Sequence, residues 1–219
     1  MRISALPIEK LLLGVLLAGL FAGLSGMFAS CSRSPKLRPI PADGVVLAFG
    51  DSLTRGTGAE EAEAYPAVLA RLSGWQVINA GIPGERSAAG LRRLPEALAE
   101  HQPALVLLCH GGNDILADAP AAEVAANLDA MIGLCREAGA EVFLLGVPQK
   151  GLLLRPAPLY AEVASRNAVP CNVDVIAKVL GKPTLKSDYI HPNAAGYARI
   201  AETVWADLRR AQRRVSPGS

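Results

Sequence analysis

A chain of 219 residues is long enough for one α/β domain and short for two. Its 22 Lys and Arg nearly balance its 20 Asp and Glu. That excludes the concentrated basic face of a nucleic-acid-binding protein, so no nucleic-acid partner is expected.

The chain opens with a segment of exported character. Arg2 and Lys10 give a positive flank, Leu11 to Leu24 is an apolar core broken only by glycines, and Ala29 and Ser30 precede Cys31. Residues 1–30 look like a signal peptide of lipoprotein type. In such a signal Cys31 is lipidated and becomes the new N-terminus. Phe28 departs from the leucine usual there. A single N-terminal transmembrane anchor is the competing reading, because the apolar stretch approaches spanning length. Either way the domain is expected outside the cytoplasm, periplasmic or at the cell surface, and close to a membrane. Residues 31–44 then read as a proline-rich, basic tether.

The folded domain is expected over 45–213, with 214–219 a disordered tail. Val45 to Gly50 is a continuous apolar run, as in a strand buried on both faces of a parallel sheet. Ser52 follows the break at Gly50. A serine at the carboxyl end of such a strand stands where open α/β sheets bind their ligands. It is a nucleophile if a base lies within reach, and a turn or cap residue otherwise. A helix is predicted from Tyr65-Pro66 to Gly74, and a second strand over Trp75 to Asn79. The turn from Ala80 to Ser87 opens another helix, with Ser87 as its cap. Ala104 to Cys109 predicts a third strand, ending at His110-Gly111-Gly112-Asn113-Asp114. A helix from Ala121 to Ala138, a strand from Glu141 to Val147, a helix from Pro158 to Asn167 and a short strand from Val169 to Val173 follow. Asn193 is expected to cap a last helix that runs to Arg213. The alternation of strand and helix predicts parallel strands with right-handed crossovers.

Cys109, Cys135 and Cys171 remain after Cys31, an odd number. Each is expected as a small buried hydrophobe. No pair has metal-ligand spacing, so no metal site is expected.

Ser52, Gly84 and Asn113 follow three predicted strands. In a parallel sheet those ends share one edge, so the three can converge. The base must come from three histidines. His101 sits at a polar helix end and His110 borders the third loop. His191 follows Asp188 by three positions in a proline-bounded loop. That spacing lets the carboxylate hold one ring nitrogen of His191, fix the tautomer and turn the other nitrogen toward Ser52.

Four blocks in order resemble the SGNH, or GDSL, hydrolase family: Gly50-Asp51-Ser52-Leu53, Asn79-Ala80-Gly81-Ile82-Pro83-Gly84, Gly111-Gly112-Asn113-Asp114 and Asp188-Tyr189-Ile190-His191-Pro192. The resemblance is closest to the bacterial periplasmic thioesterase, arylesterase and lysophospholipase subgroup. It implies a three-layer α/β/α sandwich around a five-stranded parallel sheet, with a shallow, open site. It implies Ser52 as nucleophile, His191 as base and Asp188 as the acid that holds it. The Ser52 and Gly84 amides and the Asn113 carboxamide would form the oxyanion hole. No cofactor or metal is implied. Asp51 and Asp114 are expected to brace loops.

The expected substrate is a small-molecule ester, thioester or lipid. Leu152, Leu153 and Leu154 lie after the fourth strand, on the same sheet edge as Ser52, and are candidate acyl-binding residues. Two rival readings stand beside this one: a carbohydrate O-acetylesterase of the envelope, and a non-catalytic binding module tethered to a membrane.

Overall fold

A computed structural model describes residues 35–151 and 154–212. The expected signal peptide 1–30, Cys31, Leu152, Leu153 and the expected tail 214–219 lie outside the described residues.

The sheet has five parallel strands in the order β2-β1-β3-β4-β5. They are β1 Val45–Gly50, β2 Gln76–Gly81, β3 Leu105–Cys109, β4 Glu141–Leu145 and β5 Cys171–Asn172. β1 and β3 are apolar throughout because both lie inside the sheet and are covered on both faces. Registration of Gly50 with Gly81 on one side and Cys109 on the other brings the loops after β1, β2 and β3 to one edge. The strand order reverses between β1 and β3, which makes that edge the switch point where open α/β sheets bind ligands.

The helices are α1 Ser52–Arg55, α2 Tyr65–Ser73, α3 Ser87–His101, α4 Gly112–Leu116, α5 Ala121–Glu137, α6 Pro158–Arg166, α7 Val175–Leu180 and α8 Ala194–Gln212. α2 and α7 pack on α8, whereas α3 and α6 pack on α5. These two groups flank the sheet and give the three-layer α/β/α arrangement expected. Among the described residues no helix is long and apolar enough to cross a membrane.

Four details differ from the sequence-based expectation. Residues 35–44 are not a free tether. Leu37 is buried, its N–H donates to Ala211 O at 3.2 Å, and Arg38 Nη2 donates to Gly139 O at 2.8 Å. Burial of one leucine contributes roughly 1.5–3 kcal/mol toward docking this segment. Ser87 is the first residue of α3 rather than its cap. Its N–H and Oγ both donate to the Asp114 carboxylate, at 2.8 and 2.9 Å, so an acid from the short helix α4 caps this one. α7 was not expected. All its residues but Lys178 are buried, so it has no polar face to mark it as helix. Cys171 is exposed, because β5 is a two-residue edge strand; Cys109 and Cys135 are buried as expected.

Candidate active site

Ser52 begins α1 directly after β1, and Asp51 caps that helix by accepting Leu53 N–H at 3.0 Å. The short helix thus holds Ser52 at the sheet edge. The loop before α8 brings His191, the expected base. Asp188 Oδ1 accepts the backbone N–H groups of Ile190 and His191, each at 2.8 Å. Ser187 N–H closes the loop by donating to His191 O at 3.0 Å. Asn193 Oδ1 then accepts Gly196 N–H at 3.1 Å and caps α8 as expected.

The side chains line up across this frame. Asp188 Oδ2 lies 2.8 Å from His191 Nδ1, and His191 Nε2 lies 3.0 Å from Ser52 Oγ. The carboxylate can accept only, so Nδ1 carries the proton and Nε2 is left to accept from the serine hydroxyl. Burial works to raise the Asp188 carboxyl, but the bonds from His191 and the two backbone N–H groups outweigh it and hold the group below its ordinary value. Asp188 therefore stays ionised beside the imidazole.

Asn113 stands in α4, just beyond β3. Its Nδ2 donates to Glu85 O at 3.0 Å and approaches Asp51 Oδ2 at 3.4 Å. Both N–H donors of the carboxamide are thus engaged, and the longer contact, to Asp51, is the one an oxyanion would displace if Asn113 serves as expected. Gly84 is exposed in the loop after β2, at φ +78, where glycine is favoured. It directly precedes Glu85, so the two expected oxyanion donors are tied together through Glu85 O. Asp51 and Asp114 do brace loops, through Leu53 and Ser87 respectively. Burial raises the Asp51 carboxyl above its ordinary value, and the opposing influences of His110, the Leu53 N–H and His191 do not cancel it.

A cleft of about 430 Å³ opens over Ser52, Asn113 and His191. Ile115, Leu116, Val147, Leu154 and Leu180 give it apolar walls. Tyr189, Ile190 and Leu116 are large apolar residues left exposed on this lining. Of the three candidate acyl-binding leucines, Leu154 lines the cleft. The other wall residues were not singled out in the sequence; the helical spacing that would flag Leu180 belongs to α7, itself unexpected.

Sequence reasoning also missed a cluster behind the site. His110 is fully buried, and its Nε2 lies 3.1 Å from Glu85 Oε2. Arg93 donates through Nε to Glu85 Oε1 at 2.9 Å and through Nη2 to Oε2 at 2.6 Å. The available signal was a histidine ending an otherwise apolar strand.

Residues 48–199 match the model of the GDSL-like lipase/acylhydrolase family. The chain belongs to this family. It is 36% identical over 177 residues to the esterase TesA of Pseudomonas aeruginosa, covering 75% of this chain and 87% of that one. It is 32% identical over 174 residues to thioesterase 1/protease 1/lysophospholipase L1 of Escherichia coli K12, covering 75% and 83% respectively. The crystal structure of TesA superposes with a TM-score of 0.70 at 32% identity, over 76% of this chain and 99% of that one. The chain is thus a hydrolase of the GDSL type, as its four sequence blocks led one to expect.

Proposed function

We propose that this hydrolase cleaves carboxylic esters or thioesters with medium-length acyl chains through an acyl-serine intermediate. The observation that carries the reading is the continuous chain from Asp188 through His191 to Ser52 Oγ. His191 Nε2 takes the Ser52 proton as Oγ attacks the carbonyl carbon. The oxyanion that forms is met by the Ser52 and Gly84 amides and by Asn113. The tetrahedral adduct collapses, the bond to the alcohol or thiol breaks, and His191 returns the proton to that leaving group. Water then repeats the sequence on the acyl-serine and frees the acid. No cofactor takes part in these steps.

The apolar walls of the cleft favour an acyl chain over a sugar. Each methylene buried there contributes about 0.8 kcal/mol. The relatives carry the names esterase and thioesterase/lysophospholipase, which supports ester, thioester and lysophospholipid substrates without separating them. The O-acetylesterase reading needs only a small acyl pocket and leaves these walls without a task. Export, with anchoring through lipidated Cys31, completes the proposal. Its support is the Ala29-Ser30-Cys31 pattern after the apolar core. Fatty-acid labelling lost in Cys31→Ser is expected; equal labelling of both proteins would exclude this anchor.

Hydrolysis rates across p-nitrophenyl esters of rising chain length, beside an acyl-CoA and a lysophospholipid, test the substrate reading. Specificity that rises from acetate to octanoate is expected. A maximum at acetate moves the assignment to the O-acetylesterase.

A further inference from the structure

We propose that Glu85, clamped by Arg93 and His110, is the positioning residue that sets the oxyanion side of this site. The proposal rests on the roles given above to Asn113 and Gly84. Ser52 and His191 are held by the loops after β1 and before α8. The oxyanion side is built from two other loops, after β2 and after β3, and these must be registered with each other.

Glu85 makes that registration at two levels. Its backbone O accepts Asn113 Nδ2 at 3.0 Å. Its carboxylate, 8% exposed, accepts both nitrogens of the Arg93 fork and the ring of His110. Arg93 is anchored in turn: Nη2 donates to Ala80 O at 3.1 Å, and the guanidinium lies 4.1 Å from the centre of the Phe49 ring. A carboxylate held by such a fork cannot swing, because both its oxygens are committed.

His110 is fixed as firmly. Gly111 N–H donates to its Nδ1 at 3.2 Å, so Nδ1 is the acceptor nitrogen and Nε2 carries the hydrogen. That hydrogen points at Glu85 Oε2. Tyr160 Oη donates to His110 O at 2.8 Å and pins the backbone. Gly90 of α3 lets the ring sit against the helix: a Cβ there would lie 2.3 Å from His110 Nε2. Arg93 and Gly90 both belong to α3, so one helix carries the fork and the seat for the ring.

The consequence is directional. Donors aimed at an oxyanion act on charge present only in the transition state. A shift of the Gly84–Glu85 turn therefore lowers turnover and leaves ground-state affinity alone. Glu85→Gln is the informative change because of the fixed tautomer. The amide presents one acceptor and one donor, so its N–H₂ must face either Arg93 Nε, or Arg93 Nη2 together with the His110 hydrogen. His110 cannot relieve this by moving its hydrogen to Nδ1, which would then face Gly111 N–H.

The test is a double-mutant cycle of Glu85→Gln and Asn113→Ala, with kcat and KM measured on one p-nitrophenyl ester and folding followed by thermal unfolding. Glu85→Gln is expected to lower kcat about tenfold or more with KM within about twofold, as misplacement of a preorganised donor does. In the Asn113→Ala background its further effect on kcat is expected to be clearly smaller than in the wild type, since of the two donors it positions only the Gly84 amide remains. Full additivity in a folded double mutant overturns the proposal. So does a Glu85→Gln enzyme with wild-type kcat while Asn113→Ala is impaired, which leaves the oxyanion role of Asn113 intact. An Asn113→Ala enzyme with wild-type kcat overturns that role and the proposal with it. Should Glu85→Gln not fold, Arg93→Lys takes its place in the cycle: it keeps the charge, loses the two-point fork, and carries the same expectation of coupling.

Discussion

Ser52 and His191 stand 139 positions apart in the chain and 3.0 Å apart in the fold, hydroxyl oxygen to ring nitrogen. β1 delivers the first and the loop before α8 the second. If the pair acts as one unit, Ser52→Ala and His191→Ala each abolish ester hydrolysis, and the double mutant is no worse than either. Steady-state rates of all three, with far-UV circular dichroism as the check on folding, decide this. Near-wild-type turnover in either single mutant rules the pair out.

Asn113→Ala is expected to lower kcat by about 10²–10³, or roughly 2.7–4 kcal/mol, at nearly constant KM. A raised KM at constant kcat would instead make Asn113 a ground-state binding residue.

Asp51 is buried, accepts Leu53 N–H, and has its carboxyl raised by that burial. A carboxyl raised in the fold is costly when ionised, so its ionisation removes stability as pH rises through the raised value. Asp51→Asn is therefore expected to match or exceed the wild-type Tm at neutral pH, with the advantage fading as pH falls from the raised value down to the ordinary carboxylate value. Its kcat should drop, because the amide turns a donor toward Asn113 Nδ2. A large loss of Tm at neutral pH would contradict this.

Glu85 has the opposite sign. Burial works to raise it, but Arg93 and His110 hold its carboxyl below the ordinary value. Its contribution to stability is present above the ordinary carboxylate pKa of about 4.3 and is lost as pH falls through the lowered value. Thermal unfolding from neutral pH into acid should show a shallower fall of Tm in Glu85→Gln than in the wild type. Parallel curves would show that Glu85 is not linked to folding.

Leu116 and Leu154 line the cleft from opposite segments, α4 and the loop after β4. Replacing both with serine should lower the octanoate-to-acetate ratio of kcat/KM by about tenfold or more, given about 0.8 kcal/mol for each buried methylene. An unchanged ratio would remove the acyl-groove reading.

The parts of the fold legible in the sequence were those with unbroken local pattern. β1 and β3 are apolar from end to end, and Tyr65-Pro66 and Asn193 mark helix starts. Asp188 and His191 were legible because their contact is local, three residues apart. What was not legible depends on long-range partners. Ser87 looks like a cap until Asp114, 27 positions away, takes its hydroxyl. His110 looks like a loop residue until α3 brings Arg93 and Gly90 against it and Glu85. Leu37 looked like tether because its partner, Ala211, lies at the far end of the chain.

The central claim is that Ser52 is a nucleophile activated by His191. Intact-mass and peptide analysis after reaction with a fluorophosphonate measures it directly. One phosphonyl group on Ser52, gained in step with loss of esterase activity and strongly slowed in His191→Ala, is the expected result. Full loss of activity with Ser52 unmodified, or equal labelling in His191→Ala, would contradict the claim.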